Sequence, residues 1–125
     1  MGSLADALWL IPGRRPDAVR LYEQAVDLAE ESLKVNPVDA QVIASLGYYC
    51  GRTGDSERSA RELARAESLR ADDMYVQYFI ALAAADRGDN ARAREAIGRA
   101  ERSGYPRKLL EADPVLKPFV TGGRR

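Results

Sequence analysis

The sequence predicts an all-α fold, an α-solenoid of antiparallel helix pairs, and three observations predict it. The chain repeats itself at a spacing of about 34 residues. Its apolar residues recur at helical intervals, and Gly-Asp pairs interrupt that rhythm at matching points. Shifted by that spacing, Gly54 falls on Gly88, Asp55 on Asp89 and Arg58 on Arg92, and Arg65-Ala66-Glu67 falls on Arg99-Ala100-Glu101. The packing positions follow: Leu46 on Ile80, Gly47 on Ala81, Ser59 on Ala93 and Leu63 on Ile97.

The elements follow in order. Met1-Gly2-Ser3 reads as an expression scar. Leu4–Ile11 reads as the end of a first helix whose opening turn is missing, frayed or packed opportunistically. The chain is therefore expected to be cut from a larger protein with further repeats or another domain upstream. Residues 4–37 form an irregular first repeat. Its second helix starts near Pro16, where proline is tolerated, and carries Ala18, Tyr22, Ala25 and Leu28 on one face. That helix runs two extra turns through Ala29–Leu33 and stops at Asn36-Pro37. A rival register, starting the face at Ala25, would put Pro12 and Pro16 inside a helix at about 3 kcal/mol each.

Residues 38–73 form the second repeat. Val42, Ile43, Leu46, Tyr49 and Cys50 fall at helical spacing. Gly54 provides the stop and Asp55 or Ser56 the next cap. Ala60, Leu63, Ala64, Ala66 and Leu69 give the following helix its packing stripe. Asp72-Asp73 caps the next helix. Residues 74–106 repeat this grammar and end at Gly104-Tyr105-Pro106. Residues 107–120 form a C-terminal cap of short turns, with Asp113 capping, Pro114 at a first helical position and Leu109, Leu110, Leu116 and Phe119 covering the open end. Residues 121–125 read as a disordered tail.

On these residues the chain resembles the tetratricopeptide repeat (TPR) family over about 100 residues. The Leu-Gly pair of the family's first helix is here Leu46-Gly47, echoed by Ile80-Ala81. The family's small–large–small series in the second helix matches Ser59, Leu63, Ala66 and then Ala93, Ile97, Ala100. Small side chains let the helices approach and the large one fills the gap. The Gly-Tyr-Pro … Asp-Pro ending is similar to the close of TPR arrays in multidomain bacterial signalling proteins such as Ser/Thr kinases, nucleotide cyclases and winged-helix regulators.

Composition points the same way. There is no histidine, so the commonest metal ligand and the commonest general base are both missing, and the single cysteine forms no internal disulfide. No triad, phosphate loop or paired-carboxylate motif is present, so no enzyme activity, cofactor or metal is expected. The absence of a long apolar run or a signal peptide leads to the expectation of a cytoplasmic chain off the membrane. Net charge is zero, but it divides: residues 1–51 carry four basic and seven acidic groups, and residues 87–108 seven basic and three acidic. Arg92, Arg94, Arg99, Arg102, Arg107 and Lys108 are interleaved with Asp89, Glu95 and Glu101 and lack a stacking aromatic motif, which argues against nucleic acid.

The resemblance implies protein or peptide binding in a concave groove lined by first helices. By register this groove includes Gln41, Ala44, Ser45, Tyr48 and Arg52, then Tyr75, Tyr78, Phe79 and Leu82, with Asp6 and Trp9 contributing from the truncated first helix. The positions of the family's basic clamp for a C-terminal carboxylate hold Asp6, Ser45, Tyr75 and Phe79, which argues against chaperone tails. The alternatives are self-association through an open N-terminal face and a spacer without an external ligand.

Overall fold

The computed structural model describes residues 2–121, with side-chain surroundings from Leu4 to Val120. The fold is all-helical. Among the described residues there are eight helices: α1 (Gly2–Trp9), α2 (Arg15–Val35), α3 (Ala40–Arg52), α4 (Ser56–Arg70), α5 (Met74–Asp86), α6 (Asn90–Arg102), α7 (Arg107–Ala112) and α8 (Lys117–Thr121). The most extensive packing joins α3 to α4 and α5 to α6; α2 packs on α1 and α3, and α3 on α5.

The turns explain why the helices stop where they do. Gly54 and Gly88 adopt φ of +94° and +81°, a left-handed backbone open to glycine at little cost. In each turn the amide three residues beyond the helix bonds back across the last turn. Asp55 N donates to Cys50 O and Asp89 N to Ala84 O, both at 2.9 Å, and Tyr105 N donates to Ala100 O at 2.9 Å after Gly104. This is the Schellman closure, three times. The next helix starts on an aspartate: Asp55 accepts from Arg58 N, Asp89 from Arg92 N, and Asp73 from Tyr75 N and Val76 N. Asp113 likewise accepts from Val115 N and Leu116 N. The long α2 carries Pro16 at its start and ends at Asn36, whose amide bonds Ser32 O.

The core takes in the close-packing positions. Leu46, Ser59, Leu63, Ala66, Ile80, Ala81, Ala93, Ile97 and Ala100 are all buried, as is the thiol residue Cys50. Gly47 is buried at the α3–α4 crossing. Leu110, Leu116 and Val120 close one end of the core, with Phe119 half-buried.

Four expectations are corrected. The α2 face passes from Ala25 to Ala29, leaving Leu28 58% exposed, because Ala29 is the residue that meets Leu46 and Cys50. On α4, Ala60, Ala64 and Leu69 are exposed, since that helix buries only Ser59, Leu63 and Ala66. At the cap, Leu109 is exposed and Val120 takes its place inside. At the amino end, α1 stops at Trp9 rather than Ile11, and it is fixed by specific contacts described below. Of the expected tail, Thr121 ends α8; residues 122–125, like Met1, lie outside the described residues.

Candidate interaction site

Eight of the nine aromatic side chains form one continuous run of ring contacts. Trp9 meets Tyr22 edge-on at 6.1 Å, Tyr22 meets Tyr48 and Tyr49, and Tyr48 meets Phe79 at 6.0 Å. Phe79 meets Tyr78 at 5.4 Å. Tyr78 stacks flat on Tyr105 at 4.9 Å, and Tyr105 meets Tyr75. The run crosses α1, α2, α3 and α5 and ends in the turn after α6. It arises because aromatic residues occupy facing positions on successive helices, where edge-to-face and offset geometries are favoured.

At the α1 end the run surrounds one carboxylate and one guanidinium. Asp6 Oδ1 accepts from the Tyr48 hydroxyl at 2.6 Å and from the Tyr22 hydroxyl, and the two hydroxyls lie 3.4 Å apart. Arg52 is only 5% exposed and lies 4.3 Å from the Trp9 ring centre, with Tyr48 and Tyr22 at 5.5 and 5.9 Å. Arg15 also lies over the Trp9 ring, 4.4 Å from its centre, so the indole contacts two guanidinium groups. Arg52 Nη1 makes a charge contact with Asp86 Oδ1 at 3.3 Å, outside hydrogen-bond alignment, and Nε has no acceptor among the described residues. Burial raises the Tyr48 and Tyr22 phenols far above their ordinary range, and the negative Asp6 carboxylate that accepts from both raises them further. Tyr78 is raised by burial and by Asp113, to which its hydroxyl donates at 2.8 Å.

The predicted groove residues separate into two groups. Tyr48, Arg52 and Leu82 are buried, as is Ala44, and offer no surface to a partner as they stand. For Tyr48 and Arg52 the reason is α1: Asp6 accepts from the Tyr48 hydroxyl and Trp9 lies against the Arg52 guanidinium. The exposed group comprises Tyr75, 43% exposed, and Gln41, whose amide donates to Asp73 at 2.9 Å; Ser45, Tyr78 and Phe79 are half-buried. Tyr22 and Asp86 were missed as members of this cluster. Tyr22 read as ordinary helix packing, and Asp86 lies one full repeat beyond Arg52 in sequence, so only its period-matched position could have paired them.

A second concavity, about 370 Å³, lies between α3, α4, α5 and α6. Leu63, Ile80 and Ala83 floor it, and Glu67, Asp86, Arg87 and Arg92 rim it. Glu67 binds Arg92 with both oxygens at 2.7 and 2.8 Å and accepts from Gln77 at 3.0 Å. Burial pushes the Glu67 carboxyl up, but these donors and the charge of nearby Arg99 outweigh it and leave it below the usual range. Several basic residues between Arg87 and Lys108 are engaged as well. Arg92 also pairs with Glu95, Arg107 pairs with Glu101, and Arg94 lies over Phe119. Among the described residues, no group of three or more metal-ligating side chains converges, and no helix is long and apolar enough to cross a membrane.

No family model matches the chain, and no curated protein or solved structure matches it significantly.

Proposed function

We propose that the chain is a non-enzymatic protein-interaction module of TPR-like helix pairs that binds a partner segment along its aromatic run. The repeat reading is supported by the equivalent Schellman closures and aspartate caps at Gly54-Asp55 and Gly88-Asp89, one repeat spacing apart. The binding reading rests on one observation: the aromatic run emerges from the core at Tyr75 and Tyr78, beside exposed Gln41. Exposed or half-exposed tyrosines on a rigid helix supply contact area at low entropic cost, which is what hot spots need. A signalling setting in a larger cytoplasmic protein is the natural context for such a module.

The test is selection of peptides from a displayed library on the wild-type chain, repeated on Tyr75→Ala with Gln41→Ala. Both positions are exposed and outside the buried core, so the double variant should stay folded, with a small drop in melting temperature from the lost Gln41–Asp73 bond and Tyr75–Tyr105 contact, and lose the selected peptides. Retention of the same peptides at equal strength would sink the reading.

A second reading, self-association, is favoured by the exposed apolar side chains Leu4, Leu10, Ile11, Leu28, Val35 and Val38 near the amino end. Light scattering across a range of concentrations checks it: a constant monomer mass argues against it.

A further inference from the structure

The first helix packs its backbone on α2 and sets Ala5, Leu8 and Trp9 against the core, but it reaches α3 through few side chains. Of its described side chains only Ala5 is fully buried, and Leu4 is 58% exposed. Its grip on α3 passes through Asp6 and Trp9, three residues apart and therefore on one helix face. The Asp6 carboxylate collects two tyrosine hydroxyls, and the Trp9 ring covers Arg52. The segment then leaves through Leu10–Arg14, all exposed, with Gly13 at φ +81°. The seat itself is incomplete. Arg52 is nineteen-twentieths buried, yet its Nε finds no acceptor and its Nη1 only a misaligned charge contact with Asp86. Buried donors on a charged group almost always find acceptors, so the present occupant does not satisfy this one.

We propose that Tyr22, Tyr48 and Arg52 form a recognition site for a helical segment of a partner protein carrying a carboxylate and, three residues later, an aromatic side chain, with α1 as its resident place-holder. The two hydroxyls are donors arranged for a carboxylate, and the guanidinium offers its face to a ring. A partner segment that also brings an acceptor beside Arg52 answers the donor that α1 leaves unmet. This inference rests on the interaction reading and sharpens it by naming the partner's chemistry and the contact that must be displaced.

The experiment uses the full chain and a fluorescein-labelled peptide of residues 4–12. In the wild-type chain α1 competes at the high effective concentration of a short tether. The chain with Asp6→Ala and Trp9→Ala should therefore bind the peptide about tenfold more tightly or better. Arg52→Gln in that opened chain should weaken binding again, and a peptide with both replacements should not bind. Equal binding to the wild-type and opened chains, or equal binding of the doubly replaced peptide, overturns the proposal.

Trp9 is the single tryptophan, which gives a readout that needs no variant. Excess unlabelled peptide with phenylalanine at the tryptophan position should shift Trp9 emission to the red as α1 leaves its seat; an unmoved spectrum counts against it. Concentration-dependent dimers of the wild-type chain that Trp9→Ala abolishes would show a second copy as the occupant, and would overturn the assignment to a separate partner. The Tyr75 selection reads a different surface, so either idea can fail without the other.

Discussion

Gly47 of α3 lies directly against Leu63 of α4: a Cβ on Gly47 would fall 2.7 Å from Leu63 Cγ and 3.1 Å from its backbone nitrogen. The side-chain contact alone could be relieved by a rotamer change, but the backbone contact cannot. Gly47→Ala should therefore force α3 and α4 apart. The expected overpacking cost of about 1–3 kcal/mol exceeds or cancels the roughly 1 kcal/mol that alanine gains over glycine inside a helix. Urea unfolding should show a net loss, and a stabilised variant would remove the close-approach account of this crossing.

Ala66 and Ala100 occupy matching places on α4 and α6, and neither has any exposed surface. Ala66→Leu or Ala100→Leu should each cost about 1–3 kcal/mol by overpacking. The corresponding change at exposed Ala60 or Ala64 should be nearly silent. Thermal melts of the four variants test the contrast, and equal melting temperatures throughout would contradict the assigned faces.

Arg52 and Asp86 form an ion pair that is buried at the arginine and 29% exposed at the aspartate. Removing the carboxylate leaves the guanidinium without its nearest counter-charge. Asp86→Ala should destabilise the chain by roughly 2 kcal/mol, short of the cost for a fully buried pair because the site is partly solvated. Arg52→Met keeps an extended apolar stem under Trp9 and removes the unmet donors, so it should cost less than Asp86→Ala. The reverse order in denaturant midpoints would mean that the charge itself holds α1.

Three phenols, Tyr22, Tyr48 and Tyr78, are raised by burial and by Asp6 or Asp113. The folded chain thus holds these protons more tightly than the unfolded chain, where a phenol titrates near 10. Their stabilising effect is complete below about pH 10 and is lost as the pH rises above it. Melting temperatures should fall from about pH 10 upward, less steeply in Tyr48→Phe. At the acid side, Glu67 and Asp73 are held below their ordinary values, Glu67 chiefly by Arg92 and Asp73 by Gln41 and backbone amides. Their contribution is lost as the pH falls below about 4. A flat profile across either limit would contradict the placement of these groups.

Much of this architecture is legible in the residues themselves. Gly54, Gly88 and Gly104 announce helix ends because their left-handed backbone is a local demand, and Asp55, Asp73 and Asp89 announce the next helix because capping its free amides is local too. The series Ser59–Leu63–Ala66 and Ala93–Ile97–Ala100 is legible because close approach constrains side-chain size wherever the fold places it. Leu28 and Leu69 misled because hydrophobicity marks what can be buried, and these two side chains stay exposed.

The groove was the least legible part. Register put Tyr48 and Arg52 on an accessible face, and their burial depends on a helix distant in sequence coming to rest on them. Spacing fixes which residues share a helix face, since the helical period is a local property of the backbone. What covers that face depends on ring contacts, two hydroxyl bonds to Asp6 and the Trp9–Arg52 contact, made only once the helices are assembled. Residue type and spacing are enough to place the pairs α3–α4 and α5–α6, their glycine stops and their small-residue contacts. That α1 closes over Tyr22, Tyr48 and Arg52 is a matter of long-range packing between elements, which no local signal encodes.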